Sequence, residues 1–104
     1  MRYKDFLEYL EQNLEGYGVY MKKALRFQCE KNSRRPAGKR WSDERLNKEA
    51  YNMWRMSMET LYNNLRSAIA SDSVVGWIDY IRNNEIFESV NDVISELDFF
   101  DEVA

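Results

Sequence analysis

The sequence predicts an all-α domain, a compact bundle of four to five helices around one long central helix at about residues 42–70. Two observations carry this expectation. From Ser42 to Ser71 there is no Gly or Pro. At about 100° per residue, Leu46, Ala50, Tyr51, Trp54, Ser57, Met58, Leu61, Tyr62, Leu65, Ala68 and Ile69 share a broad face, opposite Arg45, Lys48, Asn52, Arg55, Glu59, Asn63 and Arg66. The second observation is composition: 44% hydrophobic and 14% aromatic residues are enough for a packed core and set disorder aside. A length of 104 residues matches a single helical domain, 1–104.

Taken in order, Asp5 to Glu15 reads as an amphipathic helix with Tyr3, Phe6, Leu7, Leu10 and Leu14 on one side. Gly16 is placed to end it in a left-handed cap, and with Gly18 it predicts a reversal of the chain. A second helix, about Val19 to Asn32, turns Tyr20, Met21, Ala24, Phe27 and Gln28 inward and Lys22, Lys23, Arg26 and Glu30 outward. The apolar pattern then stops. Residues 32–41 hold the only Pro, a Gly and four basic side chains, which predicts an exposed basic loop.

Trp41 closes the loop just before Ser42, the expected N-cap of the long helix, and is placed as a staple against Leu46 or Arg45. Ser71-Asp72-Ser73 supplies a stop and a new cap. Val74, Trp77, Ile78 and Ile81 then recur at i, i+3, i+4 and i+7, predicting a short fourth helix weakened slightly by Gly76. Ser89 and Asp92 have capping-box spacing before Val90, Val93, Ile94 and Leu97, predicting a fifth helix from Ser89. In the tail, Phe99 and Phe100 are placed to dock, with fraying after them.

Charge is unevenly distributed. Lys22 to Lys48 carries ten Lys and Arg against Glu30, Asp43 and Glu44, a balance of +7, whereas the acidic part 72–104 carries nine Asp and Glu against Arg82 alone, a balance of −8. The chain therefore has a basic part and an acidic part, which points to two partners, to one with a matching dipole, or to neutralisation within the fold.

Catalytic chemistry has little to work with. No His is present, which removes the usual base near neutral pH and the commonest transition-metal ligand, and a lone Cys leaves an ordinary zinc site out of reach. Cys29 reads as a small, half-buried helical thiol. Gly16 and Gly18 complete no phosphate-binding motif. Paired carboxylates such as Asp98 and Asp101 read as solvated helix charge and do not fit a calcium loop. The sequence thus predicts no enzyme, no metal, no cofactor and no small-molecule ligand. With no membrane-length apolar run and one unpaired Cys, it predicts a cytoplasmic protein that does not use a membrane.

The expected role is a non-catalytic binding or regulatory module acting through protein–protein contacts, with a protein partner or self-association. The alternative is a nucleic-acid-binding accessory protein using the basic 22–45 region. The candidate binding patch is Arg34, Arg35, Lys39, Arg40 and Trp41. For nucleic acid its cations neutralise phosphates and the ring stacks on a base, whereas a protein partner is expected to keep binding nearly intact when the four basic residues are replaced with Ala. A helix-turn-helix is excluded, because the 32–41 connector is too long for its turn. The acidic part offers a second surface, a negative face for a basic groove. Trp54 and Trp77 lie on apolar stripes and are expected in the core, whereas Met56 falls on the polar side of the long helix.

Overall fold

The structure, a computed structural model, describes residues 1–100. Among the described residues it is all-helical: α1 (Tyr3–Asn13), α2 (Gly16–Ser33), a 3-10 turn (Ala37–Lys39), α3 (Asp43–Ala68), α4 (Val74–Asn83) and α5 (Ile86–Glu96). The expected bundle of four to five helices around one long helix forms, with five helices of which α3 is the long one. Asp101 and Glu102, in the expected fraying tail, lie outside the described residues.

The long helix starts where the sequence indicates. The Ser42 side chain accepts a hydrogen bond from the Arg45 backbone N–H at 3.3 Å, and Asp43 and Glu44 occupy the first turn, where the helix dipole favours negative charge. At about 1.5 Å per residue the 26 residues of α3 extend roughly 39 Å, so α3 must run along the 51 Å axis of a molecule only 24 and 21 Å across. Leu46, Ala50, Trp54, Met58 and Leu65 form its buried stripe, while Ala68 at its end is exposed.

The first two helices differ most from expectation. The chain does not reverse at Gly16. Leu14 takes an extended conformation (φ −92°, ψ 117°), and α2 starts at Gly16 itself, three residues earlier than expected. No glycine has a positive φ, so the left-handed cap is absent. Instead α1 and α2 run one after the other along α3, both antiparallel to it. Met1 meets Tyr62 and Glu11 meets Tyr51 and Trp54; farther on, Tyr20 meets Ser57, and Asn32 meets Trp41. Gly16 serves packing rather than turning. A Cβ there would lie 2.5 Å from Asn91 Oδ1 and 3.0 Å from Ile94 Cδ1, and its N–H donates to Asn91 Oδ1 at 2.8 Å. The missing Cβ leaves room for the Asn91 side chain to accept that bond and for Ile94 to pack beside it.

The α1–α2 arm is the middle layer, with α3 on one side and the α4–α5 hairpin on the other. Phe6 shows why. Fully buried, its ring meets Tyr62 of α3 at 5.4 Å and Trp77 of α4 at 5.9 Å. Trp54 is the counterpart in α3: no part of it is exposed, its ring packs 4.8 Å from Tyr17 and 5.2 Å from Tyr20, and its indole N–H donates to Glu11. Truncating such a residue to Ala costs about 3–5 kcal/mol.

Ser73 caps α4 as expected, accepting from the Gly76 N–H at 3.0 Å. The start of α5 differs. Glu85 takes a left-handed conformation (φ 53°) that turns the chain at once, so α5 begins at Ile86, and Ser89 lies inside it donating to the Glu85 carbonyl. The capping box is therefore not formed. Val93 is 66% exposed, with Ile94 as the buried residue of α5.

Lys23, expected to face outward, instead reaches across and donates to the carbonyls of Ile94, Ser95 and Leu97 at 2.8, 3.0 and 2.9 Å. It satisfies the carbonyls that end α5, where a positive charge also suits the dipole. Phe99 and Phe100 dock as expected, Phe99 against Tyr20 and both rings against Phe27.

Candidate functional site

Because α3 runs along the long axis, its N-terminus and the loop before it form one end of the molecule. The last rings of the chain reach α2 at Phe27, so the rest of α2, the loop and the start of α3 project beyond the acidic α4–α5 hairpin. The loop with its basic residues caps one end, and the acidic part flanks α1 and the first part of α2, as far as Phe27.

The structure brings the loop residues together, but not as a flexible arm. Asn32, at the end of α2, is the clasp: its Oδ1 accepts from the Trp41 backbone N–H at 2.8 Å and from Arg35 Nη1 at 2.9 Å, and its Nδ2 donates to the Trp41 carbonyl at 3.1 Å. The 3-10 turn after Pro36 folds the chain back between these points. Arg40 is turned inward, donating from Nε to the Arg35 carbonyl at 3.2 Å and from Nη2 to the Ser33 carbonyl at 3.4 Å. Trp41 stacks on two guanidinium groups, with Cζ of Arg35 and of Arg45 each 3.9 Å from the ring centroid. Two planar guanidiniums at that distance do not fit side by side on one indole face, so each takes a face.

The five expected patch residues thus have different roles. Arg35 and Trp41 are built into the stack, and Arg40 ties the loop. Arg34 makes an exposed pair with Glu30 at 3.7 Å, of the kind that contributes little to stability. The Lys39 backbone N–H donates to the Pro36 carbonyl at 2.8 Å, and its side chain has no hydrogen-bond or ion-pair partner among the described residues. The stack also needs Asn32 and Arg45, which were not counted in the patch. The signal for Arg45 was the staple position of Trp41, four residues before it. Nothing in the residue pattern marked Asn32, because its partner lies nine residues away across the loop.

Elsewhere, titratable groups meet mainly where α1 crosses α3. Glu11 Oε2 accepts from the Tyr51 hydroxyl at 2.8 Å and from the Trp54 indole at 3.1 Å. Burial, together with the hydrogen bond to this carboxylate, pushes the Tyr51 hydroxyl up to about 12. Burial also raises Tyr3, Tyr17 and Tyr20. Each of these hydroxyls is held protonated, so the cluster fastens helices together.

Cys29 is exposed, not half-buried, because α2 turns it away from both α3 and α5. Met56 is 73% exposed on the outer face of α3. Among the described residues no three Cys, Asp or Glu side chains converge on a metal-sized site, and no helix is long and apolar enough to cross a membrane. Comparisons with protein-family models, curated proteins and solved structures gave no match for this chain.

Proposed function

We propose that this chain is a non-catalytic binding module of the cytoplasm that engages an acidic face of another protein through its basic end, the stretch from Asn32 to Lys48. One observation carries the reading: the guanidiniums of Arg35 and Arg45 are held on Trp41 by a loop that Asn32 locks shut. Trp and Arg dominate binding hot spots, and side chains ordered in advance lose less entropy when a partner arrives. Lys39, exposed at the tip, and Lys48, exposed one turn beyond Arg45, add long-range attraction. The absence of His from the sequence supports the non-catalytic part of the reading.

Nucleic acid is the competing reading, and the same stack weighs against it. With a guanidinium on each face, the indole has no face left for a base, and base stacking is what single-strand binding usually adds to phosphate contacts. The test is titration of the protein with poly-glutamate and with a single-stranded oligonucleotide of equal charge, at about 50 and 200 mM salt. The proposal expects poly-glutamate to bind at the lower salt, and the combined change of Arg34, Arg35, Lys39 and Arg40 to Ala to abolish that binding while leaving the circular dichroism unchanged. Tighter binding of the oligonucleotide, or poly-glutamate binding that survives the change, overturns it.

A further inference from the structure

We infer that the Arg35–Trp41–Arg45 stack is a receptor for two carboxylates carried two residues apart on an extended acidic segment of the partner. This rests on the protein-binding reading of the basic end and adds a spacing rule to it. A guanidinium lying flat on a ring keeps its N–H donors in its own plane, so stacking leaves those edges free for a carboxylate. Arg35 uses only Nη1, toward Asn32, and the Arg45 guanidinium has no hydrogen-bond partner among the described residues. Two forks therefore stand on either side of one indole, each able to take a carboxylate in bidentate fashion.

Their separation sets the spacing. Each Cζ is 3.9 Å from the centroid, so the two are at most about 8 Å apart. In an extended chain, side chains two residues apart point the same way and lie about 6.5–7 Å from each other, and the rotamers of Asp or Glu cover the remaining ångström. Neighbouring residues point to opposite sides and reach only one fork. The shallow cleft beside Arg45 is lined by Glu44 and Glu49 as well as Lys48, which keeps an anionic segment on the guanidinium edges and out of the cleft.

The test uses two labelled peptides of about twelve residues with the same composition, one alternating Asp and Ser, the other repeating Asp-Asp-Ser-Ser, read by fluorescence anisotropy at about 50 mM salt. The alternating peptide is expected to bind about tenfold more tightly, the worth of one added bidentate contact. Arg35→Lys and Arg45→Lys keep the charge but lose the fork and the stack. Each should weaken the alternating peptide about five- to tenfold and erase the preference, while Arg34→Lys changes affinity less than about twofold.

Equal binding of the two peptides by the unaltered protein overturns the spacing rule but leaves the protein-binding reading standing, provided that the four-residue Ala change still abolishes binding. Lysine variants that keep the preference overturn the assignment to this stack. A single-stranded oligonucleotide of equal charge that displaces the alternating peptide more effectively than unlabelled peptide overturns the inference and the protein-binding reading together.

Discussion

Gly16→Ala tests the most unexpected feature of the fold, the close approach of α5 to the start of α2. The added Cβ would sit 2.5 Å from Asn91 Oδ1 and 3.0 Å from Ile94 Cδ1. Both atoms are ends of side chains that can rotate away, so the helices need not separate. What is lost is the hydrogen bond from the Gly16 N–H to Asn91, 2.8 Å long and part-buried, for which about 1 kcal/mol is a fair figure.

Repacking of Ile94 adds some tenths, and the better helix propensity of Ala returns up to about 1 kcal/mol, less at a first-turn position. The net expectation is a loss of about 0.5–1.5 kcal/mol, read from urea unfolding by tryptophan fluorescence. The second arm is Asn91→Ala, which removes the obstructing oxygen and itself costs about 1 kcal/mol. In that background Gly16→Ala should be neutral or slightly stabilising, a coupling of about 1 kcal/mol between residues 75 apart in sequence. If the two changes are simply additive, Gly16 is not there to admit Asn91, and the argument from close approach fails.

Three further expectations are simpler to check. Lys23→Met keeps the apolar stem but removes three donors from the end of α5; it should lower stability by about 1–2 kcal/mol and speed amide exchange at Phe99 and Phe100. Tyr51 has a folded-state pKa raised from 10.0 to about 12, so its stabilising contribution is complete below pH 10 and is lost as pH rises toward 12. Tyr51→Phe should therefore flatten part of the alkaline decline in melting temperature, leaving the part due to Tyr3, Tyr17 and Tyr20, whose pKa values are also raised. Asn32→Ala removes all three bonds of the loop clasp and should increase proteolysis within residues 33–41 while changing global stability by no more than about 2 kcal/mol.

Periodicity made the helices legible. The stripe of α3, the cap at Ser42, and the burial of Trp54 and Trp77 all follow from local pattern, and local pattern was enough because each helix shows one apolar face to a neighbour. What it missed depends on partners distant in sequence. Gly16 looks like a helix stop until Asn91 is placed beside it, and Lys23 looks solvated until the end of α5 arrives over it. Val93 counted as apolar stripe, but the face that α5 buries centres on Ile94, which leaves Val93 in solvent. For the candidate site, composition located the basic residues, but whether they form a loose arm or a locked stack depends on one Asn–Trp pairing across the loop.

The middle position of the α1–α2 arm has a consequence for how the chain is made. A ribosome delivers α1 first, yet one side of α1 finds its cover only when Trp77 of α4 has emerged, and α2 waits longer still for Ile94 of α5. Until then the nascent chain can pair α1 and α2 with α3 but holds a bare apolar flank toward solvent, the kind of surface that holdase chaperones recognise. A messenger truncated between the codons for α3 and α4 would yield a helical but sticky product. The α4–α5 hairpin and the two rings after it, acidic as that stretch is, therefore close the fold.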